Sequence, residues 1–224
     1  MPANPTPTEL QALYRRRFAS DPAYRSAVWR ILISDCLAPY LRDAQAVLDL
    51  GCGYGEFINQ LPARQRYAMD CNPDAARHLD AQVRLLQQDC ASPWPLADNS
   101  LDLVFTSNFF EHLPNKASLA RTLAQIRRCL KPGRRLVALG PNIKFLPGRY
   151  WDFWDHCLPL TELSLAEGMN AAGLGLERMV DRFLPYTMSQ GPRYPLVGLR
   201  LYLRLPFLWK VFGKQFLVVA VKAK

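Results

Sequence analysis

The chain has no Cys-x-x-Cys pair, and its six cysteines, at positions 36, 52, 71, 90, 129 and 157, stand at no zinc-like spacing from His78, His112 or His156. That excludes a zinc ribbon or finger and predicts a reduced, metal-free, cytoplasmic protein. No apolar run reaches the roughly 18 residues that cross a bilayer. The opening residues, with Pro2, Pro5 and Pro7, carry no basic-then-apolar signal and read as a flexible leader. Arginine-glycine tracts and long lysine blocks are missing as well. Although 28 basic residues against 19 acidic ones leave a formal excess of +9, the cations are scattered through Arg15, Arg16, Arg17, Arg127, Arg128, Lys131, Arg134, Arg135 and the final thirty residues. Such a spread describes solvated helix faces, so nucleic acid is not an expected partner. The last absence is local: residues 184–214 contain no acid at all.

What is present starts at Val47, Leu48, Asp49 and Leu50, a short apolar run with one acid that breaks into Gly51, Gly53 and Gly55. This reads as a buried strand entering a tight turn, with a helix opening at Glu56 and stopped by Pro62. Glycine serves where φ is positive or where a ligand must approach without a Cβ in the way. A dinucleotide fingerprint needs glycines at relative positions one, three and six, and the sixth position here is Glu56.

A chain of 224 residues suits one α/β domain. Apolar spacing predicts helices over 8–20 and 21–39, and these are candidates for a lid over the site or a cover for the sheet edge. Strands are expected over 66–70, 83–88, 101–106 and 134–139, with a helix over 116–130 ended by Pro132 and Gly133. A last helix from Thr161 to Gly173 precedes strands over 174–183 and 215–221, expected as an antiparallel pair. Strand-helix repeats of this kind predict a parallel sheet covered by helices on both faces. Asp70, 19 positions after Gly51 at a strand's carboxyl end, can accept two hydrogen bonds from a ribose diol or cap its own turn. Asp89 followed by Cys90 offers an acceptor and a backbone donor of the kind that recognises adenine.

In order, the Asp49 to Gly55 turn, Asp70, Asp89 with Cys90, the strand-end loop from Asn108 to Leu113, and Leu130-Lys131-Pro132-Gly133 resemble the class I methyltransferases that use S-adenosylmethionine. The resemblance implies a Rossmann-like, doubly wound, mostly parallel sheet of seven strands with the last strand antiparallel. It implies that Asp49, Gly51, Cys52, Gly53 and Gly55 contact the cofactor's methionine part. Asp70 with Cys71 would then meet the ribose, Asp89 with Cys90 the adenine, and Asn108 the amino group or the methyl in transfer. The matching division is a leader and helical lid over 1–40, a core over 41–183, an insertion over 184–214 and a final strand over 215–224. Two other readings stay open: a nicotinamide oxidoreductase, and a binding protein that keeps the fold without turnover.

Methyl transfer from a sulfonium is a direct displacement, so alignment does most of the work and a base is needed only when the acceptor must lose a proton. His112 after the fourth strand is the first candidate base; His156 beside Asp155 is the second. Tyr14, Tyr150, Trp151 and Trp154 are candidates for stacking on a flat or sugar-like acceptor, with an aromatic plug under the loop as the alternative for the last three. Residues 141–156 also resemble, more loosely, methyltransferases encoded with bacterial surface-polysaccharide enzymes, which implies a sugar or polyprenyl-linked acceptor. The apolar, cationic stretch 184–214 fits a helix lying on an anionic membrane surface, a lid over a lipid tail, or packing against the N-terminal helices.

Overall fold

The structure is a computed structural model and describes residues 11, 12, 15, 21–186 and 195–224. The expected leader and Tyr14 lie outside the described residues. Helix α1 (Pro22–Leu32) starts where Asp21 accepts the N–H groups of Ala23 and Tyr24 at 3.0 and 3.2 Å, with Pro22 already set for the first turn. It runs through a π-helical turn, Ile33–Leu37, into α2 (Ala38–Leu41). Then come β1 (Ala46–Leu50), β2 (Gln65–Met69), β3 (Val83–Leu86), β4 (Leu101–Ser107), α3 (Lys116–Cys129) and β5 (Leu130–Pro141). Helix α4 (Glu162–Ala171), β6 (Leu174–Val180), α5 (Leu196–Arg204), α6 (Pro206–Phe212) and β7 (Gln215–Lys222) complete the described chain.

The seven strands form one sheet in the order β3-β2-β1-β4-β5-β7-β6. The first five pair in parallel, and β7 inserts antiparallel between β5 and β6. β1 and β4 are neighbours although β2 and β3 separate them in sequence, so the strand order reverses there. In open α/β sheets a crevice forms at the carboxyl ends of the strands at such a point.

Each face of the sheet is covered differently. On one side α3 and α4 bury Leu119, Leu123, Ile126, Leu165 and Met169 against Leu48, Leu50, Val104 and Leu136. On the other, the helix expected after β1 shrinks to a 3₁₀ turn, Ile58–Gln60, and β2 is followed by a second short one, Pro73–Arg77. Between Gly55 and Pro62 there are only six residues, and the residue before a proline is steered out of helical geometry. The Asn59 side chain also donates to His78 O at 2.8 Å and accepts from Asp80 N at 3.0 Å, which holds the turn to the next loop. The apolar area left open is taken by α1, α5 and α6: Val28, Ile31, Leu32, Leu199, Leu203 and Trp209 pack with Val47, Leu103, Phe105 and Leu217. Each such buried side chain contributes about 1.5–3 kcal/mol, so these segments hold the sheet as well as flank the site.

The amino end of β4 is fastened by Asp102, which accepts from Gln45 N and Ala46 N at 3.0 Å each and from Lys131 Nζ at 2.9 Å. Among the described residues no helix is long and apolar enough to cross a membrane.

Candidate active site

The turn after β1 is made by backbone that only glycine accepts readily: Gly51, Gly53 and Gly55 have φ of +72°, +56° and +75°. Gly51 N–H continues the ladder to Met69 O at 2.8 Å, and a Cβ on Gly51 would sit 2.3 Å from the Phe109 ring. The glycine turn and the loop after β4 are therefore in direct contact. Asp70 fixes the turn's shape, since its Oδ2 accepts Gly53 N–H at 2.9 Å and its Oδ1 accepts Asn72 N–H at 2.8 Å. The sequence allowed either a turn cap or a ribose acceptor at this position. The structure shows the cap.

The acids converge. Burial, followed by the nearby Glu56 and Asp70 carboxylates, pushes the Asp49 carboxyl well above its ordinary range, against a hydrogen bond from Ile58 N–H. Glu56 in turn pairs with Arg25 of α1 at 2.9 Å, so the helical cover grips the turn directly. Burial and then Asp70 and Asp89 push the Cys71 thiol up to about 11. Its Sγ–H donates to Gln88 O at 3.3 Å and ties the ends of β2 and β3 together. Asp89 is exposed and accepts Ala91 N–H at 2.9 Å. Cys52 and Cys90 point inward instead: both are buried, with Cys90 Sγ 3.3 Å from Thr122 Oγ1 and its thiol pushed up to about 12 by burial. What these two residues present to a ligand is backbone.

At the end of β4, Asn108 has φ +50°, an unusual backbone for a residue with a side chain, while its N–H still reaches Leu139 O at 3.0 Å. Such strain gathers at functional loops. A 3₁₀ turn, Phe110–His112, follows, and here residues far apart in sequence meet. His112 Nδ1 lies 3.1 Å from Asp155 Oδ2 and equally close to Asp155 O. Its Nε2 is 4.0 Å from an oxygen of Glu111, a carboxylate only 3% exposed. The His156 ring stands edge-on to His112 with centroids 4.9 Å apart, stacks on Phe153 and leans on Tyr150. Ligand atoms of Glu111, His112 and His156 all lie within 4.8 Å of one another and can hold a metal ion, a juxtaposition that the sequence spacing hid.

Of the aromatic candidates, Tyr150 is fully buried, its O–H donating to Leu158 O at 2.6 Å, a placement that matches the plug. Trp151 packs edge-on against Tyr150 and remains 56% exposed, and Trp154 is 94% exposed.

Residues 48–138, which run from β1 through the glycine turn to the middle of β5, match the sequence family described as a methyltransferase domain. With the glycine spacing and the sheet order, that match decides the matter. Over residues 48–138 the chain carries a methyltransferase domain. A probable S-adenosylmethionine-dependent methyltransferase of Mycobacterium tuberculosis is 34% identical over 111 residues, which is 47% of this chain and 39% of the relative. A demethylmenaquinone methyltransferase of Symbiobacterium thermophilum is 30% identical over 142 residues, 55% of this chain and 54% of the relative. The chain therefore spans about half or less of the curated relatives it matches. A methyltransferase solved with a methyltransferase activator from Haloferax volcanii shares the fold, with a TM-score of 0.69 and 18% identity over 98% of each chain.

The site of this methyltransferase domain fits the cofactor of its class, S-adenosylmethionine. That ligand carries a sulfonium and an ammonium, and a chain with an excess of +9 presents Asp49, Glu56, Asp70 and Asp89 together at the carboxyl ends of β1 to β3. A cavity of about 430 Å³ opens at the same end, lined by Arg15, Tyr54, Asp74, Arg77 and His78. In the sequence Glu56 stood only as a helix start, and Phe109 and Glu111 only as members of the Asn108 to Leu113 loop. Only Glu111 had a further signal there, as the neighbour of His112.

Proposed function

We propose that the chain is an S-adenosylmethionine-dependent methyltransferase that acts on an oxygen, in preference to a nitrogen or carbon, of a small or lipid-linked acceptor such as a saccharide. The observation that carries this reading is the group of acids around a three-glycine turn at the point where strand order reverses. Within it, residues 1–40 serve as leader and lid, 41–183 as core, 184–214 as an insertion and 215–224 as the closing strand.

When bound, the cofactor supplies an electrophilic methyl on a sulfonium and leaves as the neutral thioether. Asp49 and the backbone of Gly51, Cys52, Gly53 and Gly55 hold its amino-acid part. Asp70 takes the ribose hydroxyls, with Cys71 beside it, while Asp89 and the Cys90 N–H take the adenine. Asn108 lines the approach to the methyl. Asp155 keeps the proton of His112 on Nδ1, so His112 Nε2 accepts the acceptor's hydroxyl proton as the oxygen–carbon bond forms. His156 and Glu111 shape that side of the pocket, and Trp151 and Trp154 offer faces for the acceptor to stack on. A lipid-soluble acceptor also agrees with the name of the Symbiobacterium relative and with a protein working at the inner face of a membrane.

The test is transfer of a radiolabelled methyl group from S-adenosylmethionine into lipid-extractable and water-soluble fractions of a cell extract. Label in an alkali-stable ether supports the oxygen reading. Binding of the cofactor with no label in any fraction, across extracts and pH, would favour a binding protein without turnover.

A further inference from the structure

Helices α5 and α6 use only one side to cover the sheet. Leu199, Leu203 and Trp209 are buried, while Val197, Leu201, Phe207, Val211 and Phe212 are each more than half exposed. The spacing explains both sets. Val197, Leu201 and Arg204 recur at helical intervals of four and three, as do Phe207, Lys210 and Val211, so each helix has an outward stripe beside its inward one. Arg204 and Lys210 are exposed on the outward face, and Arg200 is exposed at its edge, 4.0 Å from Asp35 of the π-helical turn. No acid occurs anywhere in residues 182–224.

Exposed apolar area of this kind marks a docking surface, and its charge says what docks. A second copy of the chain would bring the same cations against these, and residues 182–224 hold no acid to pair them. An anionic bilayer satisfies both halves: its phosphates take the cations and its acyl boundary takes the aromatic and aliphatic side chains. The pair is also tied to the active-site end of the sheet. Tyr202 of α5 donates to Phe183 O, and three residues on, the Tyr186 ring meets Phe153 beside His156 at 5.8 Å.

We infer that the outward face of α5 and α6 docks the protein on an anionic lipid bilayer, with Phe207 and Phe212 in the acyl boundary and Arg200, Arg204 and Lys210 at the phosphates. That a lipid-linked acceptor is delivered this way rests on the methyltransferase reading. The docking itself does not.

The experiment is sedimentation of the full chain with vesicles of phosphatidylcholine alone or mixed with phosphatidylglycerol, at low and at 1 M salt. Each cation near such a surface is worth about fivefold in partitioning, and 1 M salt cuts the screening length to about 3 Å. Wild type is expected to sediment with the mixed vesicles at low salt and to be released by high salt or by loss of the anionic lipid. The triple variant Arg200→Gln/Arg204→Gln/Lys210→Gln should bind on the order of a hundredfold more weakly, and Phe207→Ser/Phe212→Ser should also detach. Both variants should keep the circular dichroism spectrum of the wild type. Absence of wild-type binding at low salt, equal binding to both vesicle types, or a stable dimer dissociated by Phe207→Ser/Phe212→Ser would overturn the proposal. The assay contains no cofactor, so its failure and failure of the methyltransferase reading are separate results.

Discussion

Asp155 Oδ2 lies 3.1 Å from His112 Nδ1 although 43 residues separate the two in sequence. The loop after β5 folds back on the loop after β4, where Cys157 N–H and Leu158 N–H both donate to Glu111 O at 2.9 Å. The imidazole is thereby held in one orientation.

If that imidazole takes the acceptor's proton, His112→Gln should lower kcat by about 10²–10⁴ while leaving cofactor affinity within a few-fold. Asp155→Asn should cost less, because the base remains but loses its orienting partner. The informative readout is the pH–rate profile: the limb on which activity rises as a base deprotonates should be present in wild type and absent in His112→Gln. An unchanged profile in that variant would remove His112 as the base.

The same side chains form a donor set for a metal ion, so chelation separates two chemistries. With His112 acting as a base, exhaustive dialysis against EDTA should leave turnover unchanged. Loss of activity restored by a divalent cation would make Glu111, His112 and His156 metal ligands instead.

Gly51→Ala should be costly on two grounds. The residue has φ +72°, worth about 1–2 kcal/mol against any side chain, and the new Cβ would overlap Phe109 at 2.3 Å. Thermal melts should show a loss of about 2 kcal/mol or more. Adding Phe109→Ala should recover part of it, since the overlap is relieved and the backbone strain is not. Full recovery would mean that the turn carries no strain.

Stability toward acid should depend on Asp102. Burial pushes its carboxyl up, but hydrogen bonds from Lys131 Nζ, Ala46 N–H and Gln45 N–H outweigh burial and hold it below the ordinary carboxylate value of 3.8. A carboxyl whose folded value is depressed contributes stability that is present above the unfolded value and is lost as pH falls through the folded one. Asp102→Asn should cost about 1–2 kcal/mol at neutral pH, because two backbone donors and the partly exposed Lys131 lose a charged partner. Its denaturation midpoint should also change less than that of wild type between pH 5 and pH 2. Parallel curves would assign acid unfolding to other groups, of which Glu162, held low by Lys144 and Asn142 against its burial, is the next candidate.

Much of the sheet was legible because strand and turn chemistry are local. Val47 to Leu50 announce a doubly covered strand, Gly51 to Gly55 a left-handed turn, and Asp70 and Asp89 stand at predictable strand ends. That the last strand is antiparallel came with the family resemblance; its place between β5 and β6 did not, since an apolar stretch does not say which neighbour it pairs with. The short 3₁₀ turns after β1 and β2 were missed because Asn59 bonds to His78 and Asp80, a tertiary effect that propensity does not contain. Once those helices are absent, α1, α5 and α6 have sheet to cover, and an amphipathic stripe does not by itself choose between that cover and a lid. Glu111 escaped for a similar reason, because its meaning comes from His156, which only the fold brings near.

The central claim is that the acidic, three-glycine turn binds S-adenosylmethionine, and calorimetric titration with S-adenosylhomocysteine beside NADH, on wild type and Asp70→Ala, tests it most directly. The account predicts binding of the first ligand alone, weakened at least about tenfold by a substitution that removes both the ribose acceptor and the anchor of the Gly53 and Asn72 N–H groups. A folded wild-type protein that binds NADH, or that binds neither ligand, would contradict it.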